Sequence, residues 1–163
     1  MKRNEDTSLE QLSEILQAHQ RLLGLDLGTK TIGLALSDVN RTIATPMETL
    51  KRTKLQKNAE QLLDIVEEHN IGGFILGYPM NMDGSDGPRA QSTRAFLRNL
   101  SEITKIPIVL WDERLSTIAA ERVLLDADRS RKRRAEVIDK MAAAYILQGA
   151  LDRLRVPFLR PPK

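Results

Sequence analysis

Apolar residues near the start of the chain recur at helical spacing, at Leu9, Leu12, Ile15 and Leu16, with Ser8 placed as an N-cap. From residue 21 the pattern changes. Leu22-Leu23-Gly24-Leu25-Asp26-Leu27-Gly28 is a short, almost continuous apolar run, as expected of a buried strand. The polar turn Thr29-Lys30-Thr31 leads into a second such run, Ile32-Gly33-Leu34-Ala35-Leu36. Strands are predicted over 21–27, 31–37 and 42–50, and the tight first turn makes the opening pair antiparallel. The stripe of Leu55, Ala59, Leu62, Leu63 and Val66 predicts a helix over 54–69. A short strand over 71–76, a polar loop over 77–88, a helix over 89–104 and a strand over 106–111 follow. The pattern then gives a helix over 117–125 capped by Ser116 or Thr117, a basic loop over 126–133 and a last helix over 134–154. Three antiparallel strands followed by alternating helix and strand predict an α/β fold, a mixed five-stranded sheet with helices on both faces.

The 163 residues fit one ordinary domain, predicted over 21–154. Residues 1–20 form an arm or short helix before it, and the Pro-rich stretch 155–163 is a tail that cannot continue a helix. Hydrophobic residues make up 41% of the chain, enough for a real core, and cysteine is absent, which excludes disulfides and thiolate metal sites. There is no secretory signal and no apolar run long enough to span a bilayer, so a soluble, cytoplasmic protein without a membrane partner is expected.

The net charge of +3 is a mild bias, but its placement is uneven. Arg129, Arg131, Lys132, Arg133 and Arg134 fall close together, and Arg153, Arg155, Arg160 and Lys163 follow. A solvated loop would explain the run as well as phosphate binding does. Aromatics are 4% of the chain, too few for a surface that stacks unpaired bases. A nucleic-acid partner would therefore be held by backbone and shape.

Asp26 carries the chemistry. An ionised carboxylate in an apolar strand is costly unless it is paired or bound to a cation. An Asp at a strand end accepting turn hydrogen bonds is the equally simple alternative. In open α/β sheets ligands gather at the carboxyl ends of the strands, where Asp26, Asp112, Glu113 and the loop from Gly77 would all lie. In the last helix, Asp139 shares a face with Ala142, Ala143 and Ile146, a small apolar face that would lie close to the sheet. Its alternative role is an acid favoured early in a helix by the macrodipole. Asp26, Glu113 and Asp139 together would suit Mg²⁺ or Mn²⁺, which prefer oxygen ligands. Two such ions can activate water and stabilise the leaving oxygen in phosphodiester cleavage. His19 and His69 are the only histidines and neither belongs to this edge, which disfavours zinc.

The loop Gly77-Tyr78-Pro79-Met80-Asn81-Met82-Asp83-Gly84-Ser85-Asp86-Gly87-Pro88-Arg89 is long for a connection and ends at a helix start. It predicts a substrate-contacting loop with Asn81 and Arg89 as polar candidates. In Asp112-Glu113-Arg114-Leu115-Ser116-Thr117, Arg114 would pair with a carboxylate or a phosphate, and the hydroxyls are expected caps. Lys30 and Arg131, Lys132 and Arg133 complete the set of candidate phosphate contacts.

These two segments, with Gly24-Leu25-Asp26-Leu27-Gly28-Thr29-Lys30-Thr31-Ile32-Gly33 and the run from Ser130 to Ala143, resemble the YqgF family over about residues 21–154. These are bacterial RNase H-fold proteins described as Holliday junction resolvases or as nucleases of the small-subunit ribosomal RNA precursor. Tyr78 stands where Leu is common in the family, and the N-terminal arm lies outside the match. The resemblance implies an RNase H-like sheet, an acidic metal site on Asp26, Glu113 and Asp139, and cytoplasmic work on structured nucleic acid.

The expected function is a metal-dependent nuclease, with 5′-end processing of pre-16S ribosomal RNA favoured and Holliday junction cleavage as the alternative. A symmetric junction would make a homodimer plausible. A nucleic-acid-binding factor with little catalysis fits the basic loop equally. An actin-like ATPase or sugar kinase shares an Asp-x-Gly-Thr opening but needs two such domains.

Overall fold

The computed structural model describes residues 7–81, 83–115 and 131–158, with the backbone alone for 131–139. The predicted helix over 117–125 lies outside the described residues. In chain order the elements are α1 (Leu9–Ile15), β1 (Arg21–Leu27), β2 (Thr31–Ser37), β3 (Ala44–Lys51), α2 (Leu55–His69), β4 (Ile71–Tyr78), α3 (Pro88–Ile103), β5 (Ile108–Asp112), a 3₁₀ turn (Glu113–Leu115) and α4 (Arg131–Leu154).

The five strands form one mixed sheet in the order β3-β2-β1-β4-β5. β1 pairs antiparallel with β2 and parallel with β4, β2 is antiparallel to β3, and β4 is parallel to β5. The carboxyl ends of β1, β3, β4 and β5 therefore share one edge, together with the start of β2. β1 is central, which explains its apolar sequence: every residue after Arg21 is buried.

Two apolar layers fill the faces. Leu23, Leu25, Leu27, Ile32, Leu50, Phe74 and Leu76 pack under α2 and α3. Leu22, Ala35, Ile75 and Val109 pack under α1 and α4, against Leu12, Ala143, Ile146 and Leu147. Each fully buried Leu or Phe is worth roughly 1.5–3 kcal/mol relative to exposure.

Local signals set the ends. Ser8 and Gln11 form a reciprocal capping box at the start of α1. Asn70, at φ 54°, closes α2 in the left-handed conformation that Asn tolerates. Three predicted boundaries are corrected. β4 runs on through Gly77 and Tyr78, because both residues pair with β5. β5 includes Asp112. α4 begins at Arg131, so Arg131, Lys132 and Arg133 belong to its first turn and not to a loop; these straight-chain residues are good helix formers.

Candidate active site

Strand alternation decides which side of β1 carries chemistry. Leu23, Leu25 and Leu27 point towards α2 and α3, so Leu22, Gly24 and Asp26 face α4. Asp26 is only 1% exposed. Its partner on β2 is Gly33. On β4, Leu76 is the partner of Leu25, so Gly77 is the next residue beside Asp26. Glycines thus flank the carboxylate on both neighbouring strands.

Glu113 reaches the same place from β5. A 3₁₀ turn follows Asp112, and the Glu113 carboxyl carbon lies 3.4 Å from where a β-carbon on Gly77 would be. Its Oε2 is shielded from solvent. The Ile146 side chain of α4 occupies the same spot, its Cδ1 nearest to that position. Glu113 and Ile146 meet over Gly77 because it has no side chain. Asp26 and Glu113 are therefore one strand apart, on one face, at the carboxyl edge.

Asp112 is the adjacent acid, and the structure gives it a different task. Arg114 donates to it from Nε at 3.0 Å and from a terminal nitrogen at 2.7 Å, and from its backbone N–H at 2.9 Å. The Arg114 guanidinium holds the Asp112 carboxyl below the usual carboxylate range. Of the two pairings expected for Arg114, the structure therefore contains the one with a carboxylate. The guanidinium also touches Met80 Sδ at 3.7 Å, which joins the end of β5 to the loop after β4.

Residue 139 lies on α4 four residues before Ala143, whose carbonyl oxygen approaches Gly24. Its position shares the sheet-facing stripe with Ala142, Ala143 and Ile146, all buried. Its side chain, like those of Arg131, Lys132 and Arg133, lies outside the described residues. Among the described residues no group of three His, Cys, Asp or Glu side chains is placed to hold a metal. The acids present, Asp26 and Glu113, are oxygen donors of the kind a hard cation takes.

The loop after β4 is internally bonded. Asn81 donates from Nδ2 to Ser85 Oγ at 3.1 Å, and its carbonyl accepts from Gly84, which sits at φ 87°. Asp83 accepts from Ser85 twice, which lowers its carboxyl below the ordinary range. At the loop's two ends, Arg94 of α3 donates to the Tyr78 hydroxyl at 2.6 Å and to Asp86 at 3.2 Å, and stacks over the Tyr78 ring. Burial, together with the hydrogen bond to Asp86, pushes the Tyr78 hydroxyl up.

Arg89 donates to the Leu27 carbonyl at 3.4 Å, directly beyond Asp26. Lys30 is exposed at the tip of the β1–β2 turn. That turn is held by a residue that sequence reasoning passed over. Arg52 donates from its side chain to the Gly28 carbonyl at 2.7 Å and to Ser92 Oγ at 3.1 Å, and its backbone N–H donates to the Lys30 carbonyl at 2.8 Å. The one available signal was the basic stretch Lys51-Arg52-Thr53-Lys54, directly after a strand.

Known proteins resemble this chain in sequence and in fold. A protein of Ruegeria pomeroyi named "Putative pre-16S rRNA nuclease" is 61% identical over 148 residues, covering 91% of this chain and 96% of that one. One of the same name from Paramagnetospirillum magneticum is 64% identical over 137 residues, covering 84% of this chain and 88% of that one. The fold resembles Thermus thermophilus RuvC in complex with a Holliday junction substrate, at TM-score 0.53 and 11% identity, over 84% of this chain and 97% of that one. The sheet is thus the RNase H-like sheet of the resolvases. Residues 20–153 match the family described as "RuvX: Holliday junction resolvase", and the chain belongs to this RuvX, or YqgF, family.

Proposed function

We propose that this chain is a divalent-metal-dependent endonuclease that hydrolyses phosphodiester bonds in structured nucleic acid, with the 5′ end of pre-16S ribosomal RNA in the cytoplasm as its substrate. The observation that carries the reading is the buried Asp26 on β1 with the Glu113 carboxyl over Gly77 of the adjacent β4, at the carboxyl edge of the sheet. Relatives at about this identity bear the pre-16S rRNA nuclease name.

Asp26 and Glu113 supply hard oxygen ligands, and Asp139 is assigned as the third. Mg²⁺ or Mn²⁺ held there would supply an activated water and charge stabilisation at the leaving oxygen. Ile146 packs over Gly77 beside the Glu113 carboxyl, and this apolar contact lowers the local dielectric and would strengthen the acids' hold on a cation. Lys30 contacts the phosphate backbone from the β1–β2 turn, with Arg131, Lys132 and Arg133 at the start of α4. Asn81 and Arg89 shape the strand's path past the acids. Arg114 is a phosphate contact only where substrate competes with Asp112 for it.

The test is cleavage of a pre-16S RNA fragment and of a four-way DNA junction, by wild type and by Asp26→Asn, with Mg²⁺ and Mn²⁺. Metal binding is followed separately by calorimetry. RNA cleavage by wild type, with Asp26→Asn folded but inactive and weakened in metal binding, is the expected result. Full activity of Asp26→Asn would refute the assignment. Binding without cleavage at any metal concentration would favour a non-catalytic binding factor. The family description supports one second reading, junction cleavage, for which a homodimer would match a symmetric junction. It predicts that the DNA junction alone is cut, and that the protein sediments as a dimer on it.

A further inference from the structure

Lys51, Lys54 and Lys57 are exposed and follow β3 onto the start of α2. We infer that they form a second phosphate-binding strip, which holds the nucleic-acid backbone a few nucleotides from the bond cleaved at Asp26. This rests on the nuclease reading and extends it to where the flanking strand lies.

The placement comes from register. Asp26 is opposite Gly33, and Gly33 is opposite Thr49, so these three make one row across β1, β2 and β3. Ile32 and Leu50 are partners pointing into the core under α2 and α3. Thr31 and Lys51, the next pair, therefore take the opposite face, the one that carries Asp26. Lys51 lies two strands over from Asp26 and two residues nearer the carboxyl edge. With strands about 4.8 Å apart and about 3.3 Å per residue, the separation is roughly 12 Å. At 3.4 Å of rise per phosphate, that is about three to four nucleotide steps.

From Lys51 the strip continues round the edge. Lys54 is the N-cap of α2 and makes no side-chain capping bond, and Lys57 follows in the first turn, which holds no acidic residue. Lysines at this end oppose the helix dipole, so local helix stability does not explain them. Among the described residues no ion pair engages Lys51, Lys54 or Lys57. Lys30 is adjacent, because Arg52 N–H donates to its carbonyl at 2.8 Å. Arg52 itself is committed to Gly28 and Ser92 and is not part of the strip.

The experiment measures binding of the full chain to a fluorescent RNA hairpin and to a DNA duplex across a salt series. All proteins carry Asp26→Asn, so that nothing is cut. The background protein is compared with the triple variant Lys51→Gln, Lys54→Gln, Lys57→Gln. Lys105→Gln is the control, since it removes one charge at the opposite end of the sheet. Each lost phosphate contact reduces the slope of log affinity against log salt by about 0.7–0.9, so the triple variant should lose about 2–3. The affinity ratio between background and variant should then shrink roughly 20- to 40-fold from 50 to 200 mM salt. Lys105→Gln should leave the slope unchanged. The melting temperature of the triple variant should stay level or rise, because two cations leave a helix N-terminus. A triple variant that binds like Lys105→Gln overturns the strip while leaving the nuclease reading intact. No binding by the background protein, and no cleavage by wild type, overturns both.

Discussion

Gly24→Ala adds one methyl group where α4 leaves no room for it. A β-carbon on Gly24 would lie 2.8 Å from the Ala143 carbonyl oxygen and 2.8 Å from Leu147 Cβ. Both atoms are backbone or directly attached to it, so no rotamer change relieves the contact, and the helix must move by several tenths of an ångström. α4 is held by Ala142, Ala143, Ile146, Leu147, Ala150 and Leu151, all buried, so the strain spreads through that layer. Overpacking of this kind costs about 1–3 kcal/mol. Replacing a strand glycine returns about 0.5–1 kcal/mol through the unfolded state, provided the backbone suits Ala. The net loss is then about 1–2 kcal/mol, or roughly 2–8 °C of melting temperature for a chain of this size. Activity should fall further than stability, because residue 139 rides on the same helix and a displacement near 1 Å in a catalytic constellation can cost about 10²-fold. Thermal melts and cleavage rates on one preparation, well below the melting temperature, test both parts. A Gly24→Ala protein with unchanged melting and full activity would show that α4 is not seated on β1 and that the site is not built this way.

Four further outcomes follow from particular contacts. Asp38 accepts from Thr42 N–H at 2.7 Å and Ile43 N–H at 3.0 Å, bonds that hold its carboxyl down to about 2, the Ile43 bond contributing most. A depressed folded value stabilises above the ordinary carboxylate range, so Asp38→Ala should cost about 1–2 kcal/mol at neutral pH after allowing for solvent screening. In melts taken across pH, that gap should close as pH falls from about 4 towards 2. Gly77→Ala meets the mobile end of Ile146 first, so it should cost less stability than Gly24→Ala, yet it crowds Glu113 and should weaken metal binding measured by calorimetry. Tyr78→Phe removes the hydroxyl that Arg94 bonds, which should cost about 0.5–1.5 kcal/mol in denaturant melts and raise protease nicking within 79–87. Asp112→Asn loosens its grip on Arg114, so substrate affinity should rise or hold while Glu113→Gln abolishes turnover; equal loss in both variants would mean that the roles of the two acids have been misassigned.

The order of strands and helices was legible in the chain because burial leaves a periodic mark. β1 reads as apolar throughout, since a central strand between β2 and β4 has no solvent face. The stripe over Leu55, Ala59 and Leu62 marks the side of α2 that touches the sheet. Asp26 stood out for the same reason, as the one charge in that run. What the sequence could not say is which neighbours the sheet would provide. Asp112 and Glu113 are adjacent and chemically alike, and only the 3₁₀ turn sends one over Gly77 while Arg114 claims the other. Arg52 reads as one more surface cation until the fold puts two carbonyls and a hydroxyl within its reach. Periodicity records whether a position meets water or core. It is set by one residue's own environment, whereas a contact between distant residues depends on two backbones meeting, and no local pattern carries that information.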